Sequence, residues 1–288
     1  MRDQGKAMDA YKRRDEISER IDAHQHYWDI NRFRYDWMGS GDPVLRHNYL
    51  PAELQPQMQL AGIDGAVLVQ ADGSVAEAFW LLKLADLYPT IRGVVGWVDL
   101  EALSLPVDLE ALTANPLFKG IRPYFERVKD MQALQPVLAR LDRYGLSCDL
   151  LAGPEFLIDN LWMAQDYANI TFIFDHLAEA FRTVGGISAW KALLKPAAAL
   201  PNVAMKISGY LTAAPLKPLA AETLRPYLET ALELFGAGRL MFGSDWPVCT
   251  QAGSYLETVE VLKATSIHLS PSEQANLWGG SAVRAYKL

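Results

Sequence analysis

Residues 65–100 read GAVLVQADGSVAEAFWLLKLADLYPTIRGVVGWVDL, a pattern of strand, helix and strand. Gly65–Ala71 is a short valine-rich run closed by Asp72-Gly73-Ser74, as expected of a strand buried on both faces of a parallel sheet. Val75–Tyr88 follows, with Phe79, Leu82 and Leu87 near one helical face. Gly93–Leu100 then returns to a strand-like run, completing one βαβ unit.

The same alternation continues in both directions. Strand-like runs occur at Ile21–His26, Phe118–Pro123, Leu146–Leu151, Ile170–His176, Asn202–Ser208 and Arg239–Asp245. Between them lie amphipathic stretches at Met131–Tyr144 (Leu134, Leu138 and Leu141 on one face), Glu155–Tyr167, Ile187–Leu194, Ala220–Phe235 and Tyr255–Ala264. Eight such runs, most of them spaced by one βα unit, predict an α/β fold: a (β/α)8 barrel over residues 20–288. A doubly wound open sheet is the alternative, but no GxGxxG follows the first strand and no P-loop occurs. The gap from His26 to Gln70 is long and contains YDWM and an Arg46–Pro51 segment, which predicts a long first loop acting as a lid or binding element.

Composition narrows the function classes. Half of the 288 residues are apolar, which excludes a disordered chain. A net charge of −7 argues against an extended nucleic-acid or anionic-membrane surface. Apolar runs are too short for a membrane span, and residues 1–19 are too charged for a signal peptide; they read as an arm outside the barrel. Cys148 and Cys249 fit no metal or redox spacing and read as buried thiols of a cytoplasmic protein.

Barrel chemistry sits at the carboxyl ends of the strands. The first run ends in His24-Gln25-His26, and residues i and i+2 of a strand point the same way, so two imidazoles converge. Such a pair suits a metal or a polarised oxygen. The sixth run ends in Asp175-His176. Alternation admits only one of these, and His176 is the choice that completes an imidazole cluster. Asp175 then serves as partner to a histidine or a helix N-terminus. The eighth run ends in Ser244-Asp245-Trp246-Pro247, where Asp245 is a catalytic candidate and an Asx-turn the alternative.

This constellation resembles the amidohydrolase superfamily, and more narrowly its amidohydrolase-2 type lactonases, which act on sugar lactones or on 2-pyrone-4,6-dicarboxylate. IDAHQHYWD, VVGWVDL, KGIRP, FDHLA, KISG and FGSDWPV carry the resemblance over nearly the whole chain after residue 20. It implies hydrolysis of a sugar-derived lactone, with Asp245 as general base and His24, His26 and His176 polarising the carbonyl. It also implies at most one divalent ion, zinc-like, held by His24, His26, His176 and Asp245. Strand four ends in Arg122 and strand five in Asp149-Leu150-Leu151, which lack the ligands of a binuclear centre.

Substrate contacts are expected from Arg122, Gln70, Trp97, Tyr124 and Lys206 at strand ends, and from Tyr35, Trp37 and Arg46 in the first loop. His47 and His268 read as ordinary loop or helix residues. A small-molecule lactone is the expected partner, with monomer and homo-oligomer both open. A metal-dependent decarboxylase of the same superfamily is the enzymatic alternative, and a catalytically silent barrel the non-enzymatic one.

Overall fold

A computed structural model describes residues 19–39, 42–213 and 221–288. Glu19 apart, the charged arm expected over residues 1–19 lies outside the described residues. Eight strands form one parallel sheet in sequential order: β1 (Ile21–Gln25), β2 (Gly65–Val69), β3 (Ile91–Gly96), β4 (Phe118–Ile121), β5 (Ser147–Leu150), β6 (Phe172–Phe174), β7 (Val203–Ile207) and β8 (Leu240–Phe242). The last strand meets the first through the Asp245 amide bonded to the His24 carbonyl and the His26 amide bonded to that of Trp246. The sheet thus curls into a nearly closed (β/α)8 barrel.

Every strand residue but Arg92 and Lys119 is buried, because helices cover the outside and side chains fill the inside. The interior layer includes Ile21, Ala23, Val67, Val95, Ile173 and Met241. Ala282 and Tyr286 of the C-terminal helix Ser281–Tyr286 join it and plug the end opposite the site.

The outer helices depart from the expected pattern in four places. The helix Val75–Leu87 buries Ala78, Leu81, Leu82 and Ala85, whereas Phe79 and Leu87 of the predicted stripe face solvent. Glu155–Tyr167 breaks at Asn160 into Pro154–Asp159 and Leu161–Asp166. Helices Pro51–Ala61 and Leu105–Thr113 were not legible, their first-turn prolines masking them although proline is favoured there. The first connection is therefore an irregular loop up to Leu50 followed by a helix, with Trp28 and Tyr49 bridging the loop's ends. Cys148 and Cys249 are free and buried.

Candidate active site

His24 and His26 enter the barrel mouth with the help of an extra residue. Asp22 aligns with Ala66 of β2 but Gln25 with Leu68, so β1 carries a bulge. Ile21 and Ala23 face the interior before it, and His24 and His26 after it. Their Nε2 atoms stand 3.0 Å apart. Asp22 tethers the neighbouring strand end instead, its Oδ1 accepting from the Ser244 amide at 2.8 Å and its Oδ2 from the Gln25 side chain at 2.8 Å.

His176 and Asp245 both sit on strained backbone. Residues His176 to Glu179 all have φ between +47° and +56°, and Asp245 has φ +58°. Non-glycine residues rarely adopt this left-handed conformation, and where they do a functional constraint is a common reason. The turn carries the His176 ring to 4.6 Å from that of His24, with Nδ1 3.0 Å from Ser208 Oγ. Gly209 makes the room, since a Cβ there would stand 2.7 Å from His176 Nδ1. Asp245 Oδ1 lies 3.4 Å from His26 Nε2 and 3.7 Å from His24 Nε2.

The expectation that only one of Asp175 and His176 enters the site is corrected. β6 ends at Phe174, so strand alternation no longer governs the two residues. Asp175 turns inward beneath the cavity, its Oδ1 3.3 Å from His24 Nδ1 and 3.0 Å from Lys206 Nζ, its Oδ2 3.2 Å from Arg122. Lys206 Nζ also contacts Asp149 Oδ2, which accepts a further bond from the Tyr286 hydroxyl at 2.8 Å.

Above this layer opens a cavity of about 570 Å³, ample for a monosaccharide-sized ligand. His26, His176, Asp245, Arg122, Trp37 and Tyr124 line it. The other expected contact residues do not. The Lys206 ammonium is fully buried against Asp149, Asp175 and His24. Gln70 is also sealed in, donating to the Arg122 carbonyl. Tyr35 packs under the first loop on Trp28, the exposed Arg46 reaches the Met38 carbonyl at 3.5 Å, and Trp97 stands behind Tyr124. The wall instead includes Arg34, Asp36, Asp72, Arg127, Glu179 and Arg182, loop residues that no strand-end rule could select. His47 and His268 stay outside the cavity lining.

Burial dominates the electrostatics. It pushes His24 well below the ordinary histidine range, helped by the Lys206 ammonium and opposed by Asp175. His26 is lowered for the same first reason, against the pull of Asp245. Burial would raise Asp245, but His176 and the bond with His26, with His24 close by, hold it at about 2, so it is ionised at neutral pH. Asp149 rises to about 6 through burial in spite of Lys206.

His24, His176 and Asp245 offer ligand atoms all within 4.8 Å of one another, and this nitrogen and oxygen set suits a zinc-like ion. His26 donates from Nδ1 to the Val69 carbonyl at 2.8 Å, so in its neutral form the Nε2 lone pair faces His24 and Asp245. Asp175 behind His24 is the carboxylate backing commonly found on metal-bound histidines. The residues present therefore fit a single divalent ion.

Imidazoles on the first strand and after the sixth, with a carboxylate after the eighth, define a barrel built for polar catalysis at its mouth. The chain belongs to the amidohydrolase family, whose model matches residues 21–288. It is 35% identical to an L-fucono-1,5-lactonase of Burkholderia multivorans and 31% identical to one of Burkholderia ambifaria, covering 93% of this chain and 96% of each relative. A crystal structure of an amidohydrolase from Burkholderia multivorans with bound zinc superposes with a TM-score of 0.85 at 33% identity, over 94% of this chain and all of that one.

Proposed function

We propose that the protein is a lactonase that hydrolyses the ester bond of a sugar-derived lactone, with L-fucono-1,5-lactone the first candidate. The observation that carries this reading is Asp245, an ionised carboxylate at the floor of a monosaccharide-sized cavity and grouped with three imidazoles. The two lactonase relatives support the same class of substrate.

In this reading Asp245 takes a proton from water as the water oxygen adds to the lactone carbonyl. The tetrahedral intermediate then expels the ring oxygen, to which Asp245 returns the proton, and a hydroxy acid leaves. General-base assistance of this kind contributes roughly 10²–10⁴-fold. The low basicity of Asp245 suffices because a lactone carbonyl is more electrophilic than an amide. Arg122 and His176 face the cavity and bring positive charge and a hydrogen-bonding imidazole to the developing oxyanion. A zinc ion held by His24, His176 and Asp245, with His26 beside them, would supply Lewis-acid polarisation of that carbonyl.

The cavity wall favours a polyhydroxylated substrate over a dicarboxylate. Arg34, Arg122, Arg127 and Arg182 are matched by Asp36, Asp72, Glu126 and Glu179, so donors and acceptors surround the ligand without a net positive lining. Acid release from a panel of aldonolactones and a pyrone dicarboxylate, followed with a pH indicator, tests the proposal. No acid from any lactone would sink it, and CO₂ evolution from aromatic acids would then be measured.

A further inference from the structure

The C-terminal turn of β2 holds three site residues at once. Three consecutive carbonyls each accept a hydrogen bond from a different side chain: Val69 from His26 at 2.8 Å, Gln70 from Arg122 at 2.5 Å and Ala71 from the Trp37 indole at 2.8 Å. The donors come from just past β1, just past β4 and the first loop. One short turn thus sets the spacing of three cavity-lining groups that share no segment.

The turn is itself pinned by one atom. Glu77 Oε2 accepts from the amides of Ala71 and Asp72 at 2.9 and 2.8 Å. Glu77 lies in the first turn of the helix Val75–Leu87, and it is fully buried. Its helix does not need it as a cap, because Ser74 already caps that end. An acid buried without a compensating cation is costly, and a purely structural position would be served by an apolar side chain. Burial raises this carboxyl to about 8, so at neutral pH it keeps its proton. Oε2 accepts from the two amides, which leaves Oε1 to carry it, with the Tyr35 hydroxyl beside the carboxyl.

We infer that Glu77 is a positioning residue for the site: its carboxyl group pins the β2 turn, and the pinned turn sets where His26, Arg122 and Trp37 stand against the substrate. Only the kinetic readout of this inference rests on the lactonase reading. Glutamine mimics the protonated acid, with a carbonyl for the two amides and an N–H in place of the O–H. Leucine fills similar space and offers no acceptor.

The experiment compares Glu77→Gln and Glu77→Leu with the wild type, below their melting temperatures, by steady-state kinetics and by amide exchange in NMR. Glu77→Leu is expected to lose roughly 10²-fold in kcat/KM, the scale of a small misplacement of reacting groups, with both kcat and KM moving. Glu77→Gln is expected to recover most of that loss. The Ala71 and Asp72 amides and the Trp37 indole should exchange faster in the leucine variant alone, while Val94 and Phe172 in the strands stay protected. Wild-type kinetics in Glu77→Leu, an equal loss in Glu77→Gln, or unchanged exchange at Ala71 and Asp72 would each overturn the inference.

If the wild type turns over no lactone, the lactonase reading fails and exchange alone decides the positioning role. If Glu77→Leu does not fold, a pH titration of the wild type replaces it. The amide signals of Ala71 and Asp72 should then shift together at the pH where the Glu77 carboxyl they bond ionises, and stay still in Glu77→Gln; wild-type signals static from about pH 4 to 10 would overturn the inference. The titratable groups facing Glu77 are Asp72, Tyr35 and Tyr124.

Discussion

Lys206 and Asp149 form a fully buried ion pair directly beneath His24, with Nζ 2.5 Å from Oδ2. Asp175 joins the same ammonium at 3.0 Å and is in turn paired with Arg122, so two carboxylates and two cations share one layer under the cavity. Burial works against ionising Asp175, yet Lys206, His24 and Arg122 hold it well below the usual carboxylate range. The layer gives His24 a floor that cannot shift without unpairing a charge.

Removing Lys206 should therefore be severe. Lys206→Met strands the buried Asp149 carboxylate, leaves Asp175 with Arg122 as its cation, and is expected to destabilise the fold by about 3–5 kcal/mol, the cost of breaking a buried pair from one side. Urea unfolding measures it. A loss below about 1 kcal/mol would mean that the carboxylates find other partners or protonate cheaply.

Asp245→Asn keeps the size of the side chain and removes its basicity. Acid release is expected to fall by about 10²–10⁴-fold while the circular dichroism spectrum and melting temperature stay close to wild type. Retained turnover would remove Asp245 from the role of base.

Glu77 gives stability a pH dependence of definite sign. Its ordinary value is 4.5 and burial raises it to about 8 in the folded protein. Between those values the native state holds a proton that the unfolded chain has released. The contribution is therefore full below about pH 4.5, falls as pH rises towards about 8, and is flat beyond. Glutamine does not titrate, so melting curves should shift in favour of Glu77→Gln between pH 5 and 8, with no further gain by pH 9. A constant difference across that range would refute the raised value.

Equilibrium dialysis against zinc is expected to load one ion per chain, and His176→Ala to lose it. Metal content by mass spectrometry, read without any activity assay, checks both. Equal uptake by the variant would move the ion away from this cluster.

The barrel, and the four residues that the structure brings together at its mouth, were legible in the residue pattern alone. Eight apolar runs separated by helical patterns leave little else to build, because strands covered on both faces must be apolar throughout. His24, His26, His176 and Asp245 could be picked out because polar side chains closing apolar strands are costly without a purpose. Asp149 and Lys206 carried the same signal within SCDL and NVAMKIS; what the sequence could not show was that they face each other, and so face away from the cavity. Only the tertiary structure turns both Asp175 and His176 towards the barrel mouth, since a strand that ends at Phe174, two residues short of the expected run, escapes the alternation rule. It alone revealed the bulge in β1, which depends on register with β2 and leaves no local mark. The cavity wall and the Glu77 anchor were equally hidden: a loop side chain's position follows from what its backbone bonds to across the fold, and strand and helix periodicity say nothing of that.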